Sequence, residues 1–341
     1  MSERKASIMT IRFGIIGAGV IADVRMAPAI REAAGAELVA VHARNPEKAR
    51  SFAARHGARR WYSEAQALLD DREVDAVYIA TPPSQHAEET EAAAQAGKHV
   101  LCEKPMAIAL EECDRMIAAC RRADVRLGLC FMLRFHPVHR RMRDLVTEGF
   151  LGQPKMAEAR LVFELPDKSP TAFRLQPALG GGGAVMDVGV HGVDILRFML
   201  GRDVEAVSAF SDHDPSVFPS DDTTVMALCF DGDLPASVGV SFGVPFAERS
   251  NVELYGSAGS LFSVDTLGQE SEGRFIAISA AGRREEAPPV YNQYVALVDE
   301  FVAAVREGRE PVPGGADGRA AQAVALAAYE SIHTGTVVSL R

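Results

Sequence analysis

Three groups of residues in this chain could do chemistry: a lysine between an acid and a proline (Glu103-Lys104-Pro105), a glycine-bearing turn (Gly17-Ala18-Gly19-Val20-Ile21-Ala22), and an aspartate four residues before a histidine (Asp187 and His191). Gly17 and Gly19 let the backbone turn tightly and approach a pyrophosphate, whose charge is stabilised by the amides of Val20 and Ile21 where a helix begins. Lys104 can stabilise a developing alkoxide, and His191 can give or take a hydroxyl proton. Asp187 shares a helix face with His191 at this spacing and can orient its imidazole. Each group also has an ordinary reading: a tight βα turn, a surface lysine on a loop, an acid near a helix start. Their joint presence favours hydride transfer on a pyridine nucleotide.

The elements that would position these groups are legible in the hydrophobic pattern. Short apolar runs at Ile11-Ile16, Glu37-His42, Ala76-Ala80, His99-Cys102 and Arg126-Cys130 alternate with helical patterns at Val20-Ala33, Pro46-His56, Gln85-Ala96 and Leu110-Ala123. Continuous apolar strands separated by amphipathic helices predict a doubly wound parallel sheet, a Rossmann domain over residues 1–132. After about residue 150 polar alternation and tight turns predict a mostly antiparallel sheet with strands near Lys155-Phe163, Glu205-Ser211, Thr223-Phe230, Ala236-Phe242, Ser250-Tyr255 and Phe275-Ser279. One long helix, Val185 to Leu200, and two closing helices, about Tyr291-Arg306 and Asp317-Ile332, complete an α+β domain over 133–341. A C-terminal helix could pack back on the first domain.

The second strand bears on cofactor choice. NAD-preferring sheets end this strand in a carboxylate that accepts from the ribose hydroxyls; here it ends His42-Ala43-Arg44. Ala43 leaves room for a 2′-phosphate, Arg44 can clasp it bidentately, and Lys48 lies one helical turn away. NADP(H) is therefore expected in preference to NAD(H), the alternative being a solvated Arg44 and loose specificity. Thr81-Pro82 with His86, and Glu103-Lys104, follow strand C-terminal ends, where open α/β sheets bind ligands.

Composition sets outer bounds. The 341 residues are 48% hydrophobic with a formal net charge of -10, and no Lys/Arg-rich run reverses that sign locally, so nucleic acid is not an expected partner. The polar start before Thr10 and the lack of any run of eighteen apolar residues disfavour secretion or membrane spanning. Cys102, Cys113, Cys120, Cys130 and Cys229 are odd in number and mostly in apolar patterns, which predicts reduced thiols and a cytoplasmic location. His136 and His139 lack partners at ligand spacing, and no metal is expected. Gly180 to Gly183 would permit close approach of backbone to a bulky ligand, or act as a hinge.

Taken together, the glycine turn, Thr81-Pro82-Pro83-x-x-His86, Gly97-Lys98-His99-Val100-x-x-Glu103-Lys104-Pro105, Arg134-Phe135-His136-Pro137 and Gly183-x-x-x-Asp187-x-Gly189-x-His191-x-x-Asp194 resemble the glucose-fructose oxidoreductase/inositol dehydrogenase/MocA family over nearly the whole chain. The resemblance implies catalytic Lys104, Asp187 and His191, a sugar, polyol or related carbonyl substrate, and a homo-oligomer (dimer or tetramer) built sheet to sheet. Phe173, Arg174, Ala43 and Arg44 are similar to its NADP-dependent sugar reductases, which implies cofactor contacts at Phe173, Arg174 and Tyr294, with Arg134 and Glu103 also near the cofactor. Met132 stands where many members carry Asn, so substrate identity does not carry over. Two rivals remain open: a redox-neutral sugar lyase or glycosidase on tightly held NAD(P), and a non-catalytic nucleotide-binding regulator, which has no need of Lys104, Asp187 and His191 together.

Overall fold

A computed structural model describes residues 10–165, 172–212, 219–247 and 251–341. The polar start and Ser250, the first residue of one expected strand, lie outside the described residues. The first half alternates β1 (Ile11–Ile16), α1 (Ala27–Glu32), β2 (Ala36–His42), α2 (Pro46–His56), β3 (Arg60–Tyr62), α3 (Ala65–Leu69), β4 (Ala76–Ile79), α4 (His86–Gln95), β5 (His99–Cys102), α5 (Leu110–Arg122) and β6 (Leu127–Leu129). Its six strands form a sheet in the order β3-β2-β1-β4-β5-β6, with every pair parallel. The order reverses between β1 and β4, which opens a crevice at their C-terminal ends.

Local sequence explains the helix limits. In α2, Asn45 caps the start by accepting from the Lys48 amide at 3.0 Å, Pro46 takes the first turn, and Gly57 at φ 75° ends it. The helix after the glycine turn starts at Val20 as expected but first winds through a π turn, Ala22–Met26, in which the Ala27 amide donates to Ala22 O.

The second half contains α6 (Pro137–Thr147), β7 (Pro154–Val162), α7 (Pro177–Gly180), α8 (Val190–Leu200), β8 (Val204–Asp212), β9 (Thr223–Phe230), β10 (Leu234–Ser241), β11 (Asn251–Gly256), β12 (Gly259–Val264), β13 (Arg274–Ser279), β14 (Gly282–Glu286), α9 (Gln293–Glu307), α10 (Gly315–Thr334) and β15 (Val338–Ser339). Its nine strands run β14-β13-β12-β11-β7-β10-β9-β8-β15, antiparallel except for β7 beside β10. The fold is thus a Rossmann sheet plus an α+β half with a large, mostly antiparallel sheet. Strands β3, β12, β14 and β15 and helices α3, α6 and α7 went unread in the sequence.

Both closing helices, not one, pack on the first sheet. Phe301 of α9 meets Phe13 of β1 with ring centroids 5.9 Å apart, and Arg306 donates to Gly35 O at 3.2 Å. On α10, Arg319 pairs with Asp114 at 2.6 Å, and a Cβ on Gly318 would lie 2.8 Å from Leu129 Cγ and Met106 Sδ, so the helix can approach β6 this closely only with glycine there. Phe301 is 1% exposed. Phe301→Ala should therefore lower stability by about 3–5 kcal/mol, measured by urea unfolding; a loss below about 1 kcal/mol would show that α9 does not help hold the Rossmann core.

Candidate functional site

The glycine turn, the end of β2 and the loop after β4 meet around a groove of about 760 Å³. Gly17, Gly19, Ala43, Arg44, Lys48, Thr81 and Pro82 line it together. Gly17 has φ +99°, and a Cβ there would lie 2.8 Å from the Ala80 carbonyl, so neither the conformation nor the space admits a side chain. At Gly19 a Cβ would meet nothing nearer than Ala80 O at 3.8 Å, which leaves that side of the turn open. The first amides of a helix have no turn before them to bond, so those of Val20 and Ile21 are ready anion donors. Among the described residues no carboxylate within 4.0 Å pairs with Arg44 or Lys48. An open glycine turn, a helix start and two cations fit a phosphorylated dinucleotide.

A second cluster stands where β5 ends. Lys104 Nζ donates to Asp187 Oδ1 at 2.7 Å and to its backbone oxygen at 2.9 Å. Arg174 Nε donates to Asp187 Oδ2 at 2.7 Å, and its guanidinium lies 4.6 Å from the centroid of the Phe173 ring. Burial pushes the Asp187 carboxyl up, but the charges of Lys104 and Arg174 and their hydrogen bonds outweigh it and hold the group ionised, well below the usual carboxylate range. Asp187 thus spends both carboxylate oxygens on cations. Among the described residues no hydrogen bond joins Asp187 to His191: both carboxylate oxygens go to cations, and the aspartate reaches the imidazole only through its charge. A π turn, Val185–Gly189, carries Asp187, and in it the Val190 amide donates to Val185 O.

His191 is 5% exposed, and its Nδ1 has no hydrogen-bond partner among the described residues. Burial and the nearby Lys104 charge push it down to about 3, against the smaller pull of Asp187, so it is a neutral imidazole in ordinary buffers.

The other singled-out residues lie beneath these two clusters. His86 is fully buried and bridges two loops, Nδ1 to Pro105 O at 3.0 Å and Nε2 to Thr81 O at 2.9 Å. Glu103 accepts from Tyr78 Oη at 2.6 Å and from the Lys104 amide at 3.2 Å; burial pushes its carboxyl up. Tyr294 opens α9 and is 3% exposed, with burial and Glu103 raising its phenol. Arg134 forms a buried ion cluster, bidentate to Asp194 at 2.8 and 2.6 Å and bonded to Asp317 at 2.8 Å. These four side chains fix the loops and helices that carry the site.

The glycine run makes its close approach to protein. A Cβ on Gly182 would lie 2.1 Å from Tyr329 Oη, and one on Gly183 1.8 Å from Asp221 O. Asp221 accepts from the amides of Gly183 and Val185 at 3.0 and 2.7 Å and from Tyr329 Oη at 2.6 Å, which caps the turn holding Asp187. Asp221, Tyr329 and Tyr78 were not singled out in the sequence, since only the fold brings them to the site.

Residues 11–131 match an oxidoreductase family model with an NAD-binding Rossmann fold, and residues 139–262 match the Gfo/Idh/MocA C-terminal domain. The chain belongs to the Gfo/Idh/MocA oxidoreductase family. Its relatives include a 1,5-anhydro-D-fructose reductase from Ensifer adhaerens, 33% identical over 96% of this chain and 98% of that one. Among solved structures, aldose-aldose oxidoreductase from Caulobacter crescentus complexed with glycerol superposes with a TM-score of 0.91 at 30% identity, covering 97% of this chain and 100% of that one. A 3-ketoreductase from Actinomadura kijaniata, in complex with NADP and TDP-benzene, gives a TM-score of 0.85 at 28% identity over 94% and 98%. Like other members, this chain is an oxidoreductase with a Rossmann NAD(P)-binding half. Among the described residues no helix is long and apolar enough to cross a membrane, and all five cysteines are free thiols, four of them buried.

Burial also pushes His136 down to about 4 and, with the charge of His136, His139 to about 3. Each of these three histidines binds more protons unfolded, near its ordinary 6.5, than folded. Stability should therefore be steady above about pH 6.5 and fall below it, by up to about 1.4 kcal/mol per pH unit for each histidine. Denaturant unfolding at a series of pH values checks this, and equal stability at pH 7 and 5 would contradict the neutral, buried state.

Proposed function

We propose that this family member is an NADP(H)-dependent oxidoreductase that transfers hydride between the nicotinamide and a carbonyl or secondary alcohol of a sugar, polyol or related small molecule. The observation that carries the reading is the Lys104–Asp187 pair at 2.7 Å, which places a cation between the end of a Rossmann strand and the helix of the second domain. When bound, the nicotinamide supplies or takes up the hydride. Lys104 has three N–H donors, of which Asp187 takes two; the third is free for the substrate oxygen as negative charge develops there. With His191 neutral and Asp187 ionised, Lys104 is the proton donor in the reducing direction. His191 orients the substrate by a hydrogen bond, in place of the acid role its spacing suggests.

The NADP preference rests on His42-Ala43-Arg44, with Arg44 and Lys48 lining the groove and no acid at the end of β2. The NADP complex of the Actinomadura kijaniata relative supports it. The sugar class is supported by the reductase from Ensifer adhaerens and the aldose-aldose oxidoreductase. A domain boundary near residue 132 and residence in the cytoplasm belong to the same reading. A homo-oligomer, dimer or tetramer, is supported by the outer face of the second sheet, where the cross-strand partners Phe210 and Val225 are 78% and 54% exposed.

Lys104→Met should lower kcat by about 10²–10⁴-fold while leaving NADPH affinity nearly unchanged, as read by steady-state rates beside fluorescence titration. Near-full activity would remove Lys104 from the mechanism. Arg44→Ala should weaken NADPH about 10–100-fold more than NADH, the range of a lost charge-assisted contact; equal losses in parallel titrations would count against the 2′-phosphate role.

A further inference from the structure

One titratable group in the dinucleotide groove has no part in the mechanism above. Glu89, on α4, lines the groove with Gly17, Gly19 and Arg44, and its Oε2 accepts from Thr81 Oγ1 at 2.5 Å. Thr81 packs against the glycine turn: a Cβ on Gly17 would lie 2.9 Å from the Thr81 amide nitrogen. A carboxyl group is therefore held beside the place where the helix start and Gly19 would receive phosphates, across from the cation at the end of β2. An acid there is the opposite of what anion binding calls for.

We propose that Glu89 is a proton-linked gate on the dinucleotide groove, its neutral form admitting the anionic cofactor and its carboxylate opposing it. This rests on the cofactor reading above. The charged and titratable groups around Glu89 are few. Arg44 faces it from the end of β2 and favours the carboxylate, Thr81 does so through its hydroxyl, and Glu88 beside it on α4 disfavours it. Cys102 on β5 stays a thiol, since burial and the charges of Glu103 and Glu89 push it well up. His42, Lys48 and Glu64 line the same groove farther along, and burial keeps His42 below its usual range.

Desolvation outweighs Thr81 and Arg44 and raises Glu89 to about 7, which makes the gate responsive near neutrality. The phosphates of a bound dinucleotide repel the carboxylate and raise it further, so binding takes up a proton. Affinity is then greatest below about pH 7 and declines as pH rises through that value. Thr81→Val removes the hydrogen bond that favours the carboxylate and should move the decline to higher pH.

The test is an equilibrium titration of the ligand-free chain with NADH, which has no 2′-phosphate to titrate, between about pH 6 and 8.5, following nicotinamide fluorescence. The unsubstituted chain should lose roughly fivefold to tenfold in affinity across that span, while Glu89→Gln should vary less than about twofold and hold the tighter value throughout. An unchanged pH slope in Glu89→Gln overturns the gate and leaves the cofactor reading intact. So does weaker binding at every pH, which would make Glu89 a direct hydrogen-bond acceptor for the ligand. Failure of NADH and NADPH to bind at any pH overturns the cofactor reading and the gate with it.

Discussion

The molecule's chemistry depends on a buried ion pair joining its two halves. Lys104 ends a Rossmann strand, Asp187 stands in a turn of the second half, and each side chain is 13% exposed. Removing either charge from water is costly, so the pair persists only because hydrogen bonds compensate: two from Lys104 and one from Arg174 to the same aspartate. That compensation requires both halves to be in register to within a fraction of an ångström. The surrounding structure supplies it through Asp221 under the glycine run, Arg134 between Asp194 and Asp317, and His86 between the loops after β4 and β5.

Two π turns share a functional logic. One, Ala22–Met26, follows the glycine turn, and the other, Val185–Gly189, carries Asp187. Such turns insert a residue into a helix and rotate what comes before against what comes after. At Asp187 both carboxylate oxygens meet cations, Lys104 at one and Arg174 at the other.

Much of this was legible in the chain itself. The alternation of apolar runs with helical patterns set out five of the six Rossmann strands, and α2 has the expected bounds, Pro46 to His56. Arg44 and Lys48 do face the groove with the glycines. Two kinds of miss have a plain physical cause. Strand β3 and helix α3 are three and five residues long, too short for periodicity to register. The partnerships of Asp221 with Gly183, and of Arg134 with Asp317, span 38 and 183 residues, and no local spacing encodes them. The same limit applies to Glu103 and Arg134, whose buried partners, Tyr78 for one and Asp194 and Asp317 for the other, only the fold supplies.

The neutrality of His191 follows from the same constraint. Lys104 and Arg174 already stand against Asp187 in a poorly solvated place. A third cation there would be repelled by Lys104 and stripped of water, and both effects push the imidazole down to about 3. In the proposed mechanism proton transfer then falls to the ammonium, while the imidazole offers direction without charge. On that mechanism the ion pair that joins the halves determines which residue carries the proton.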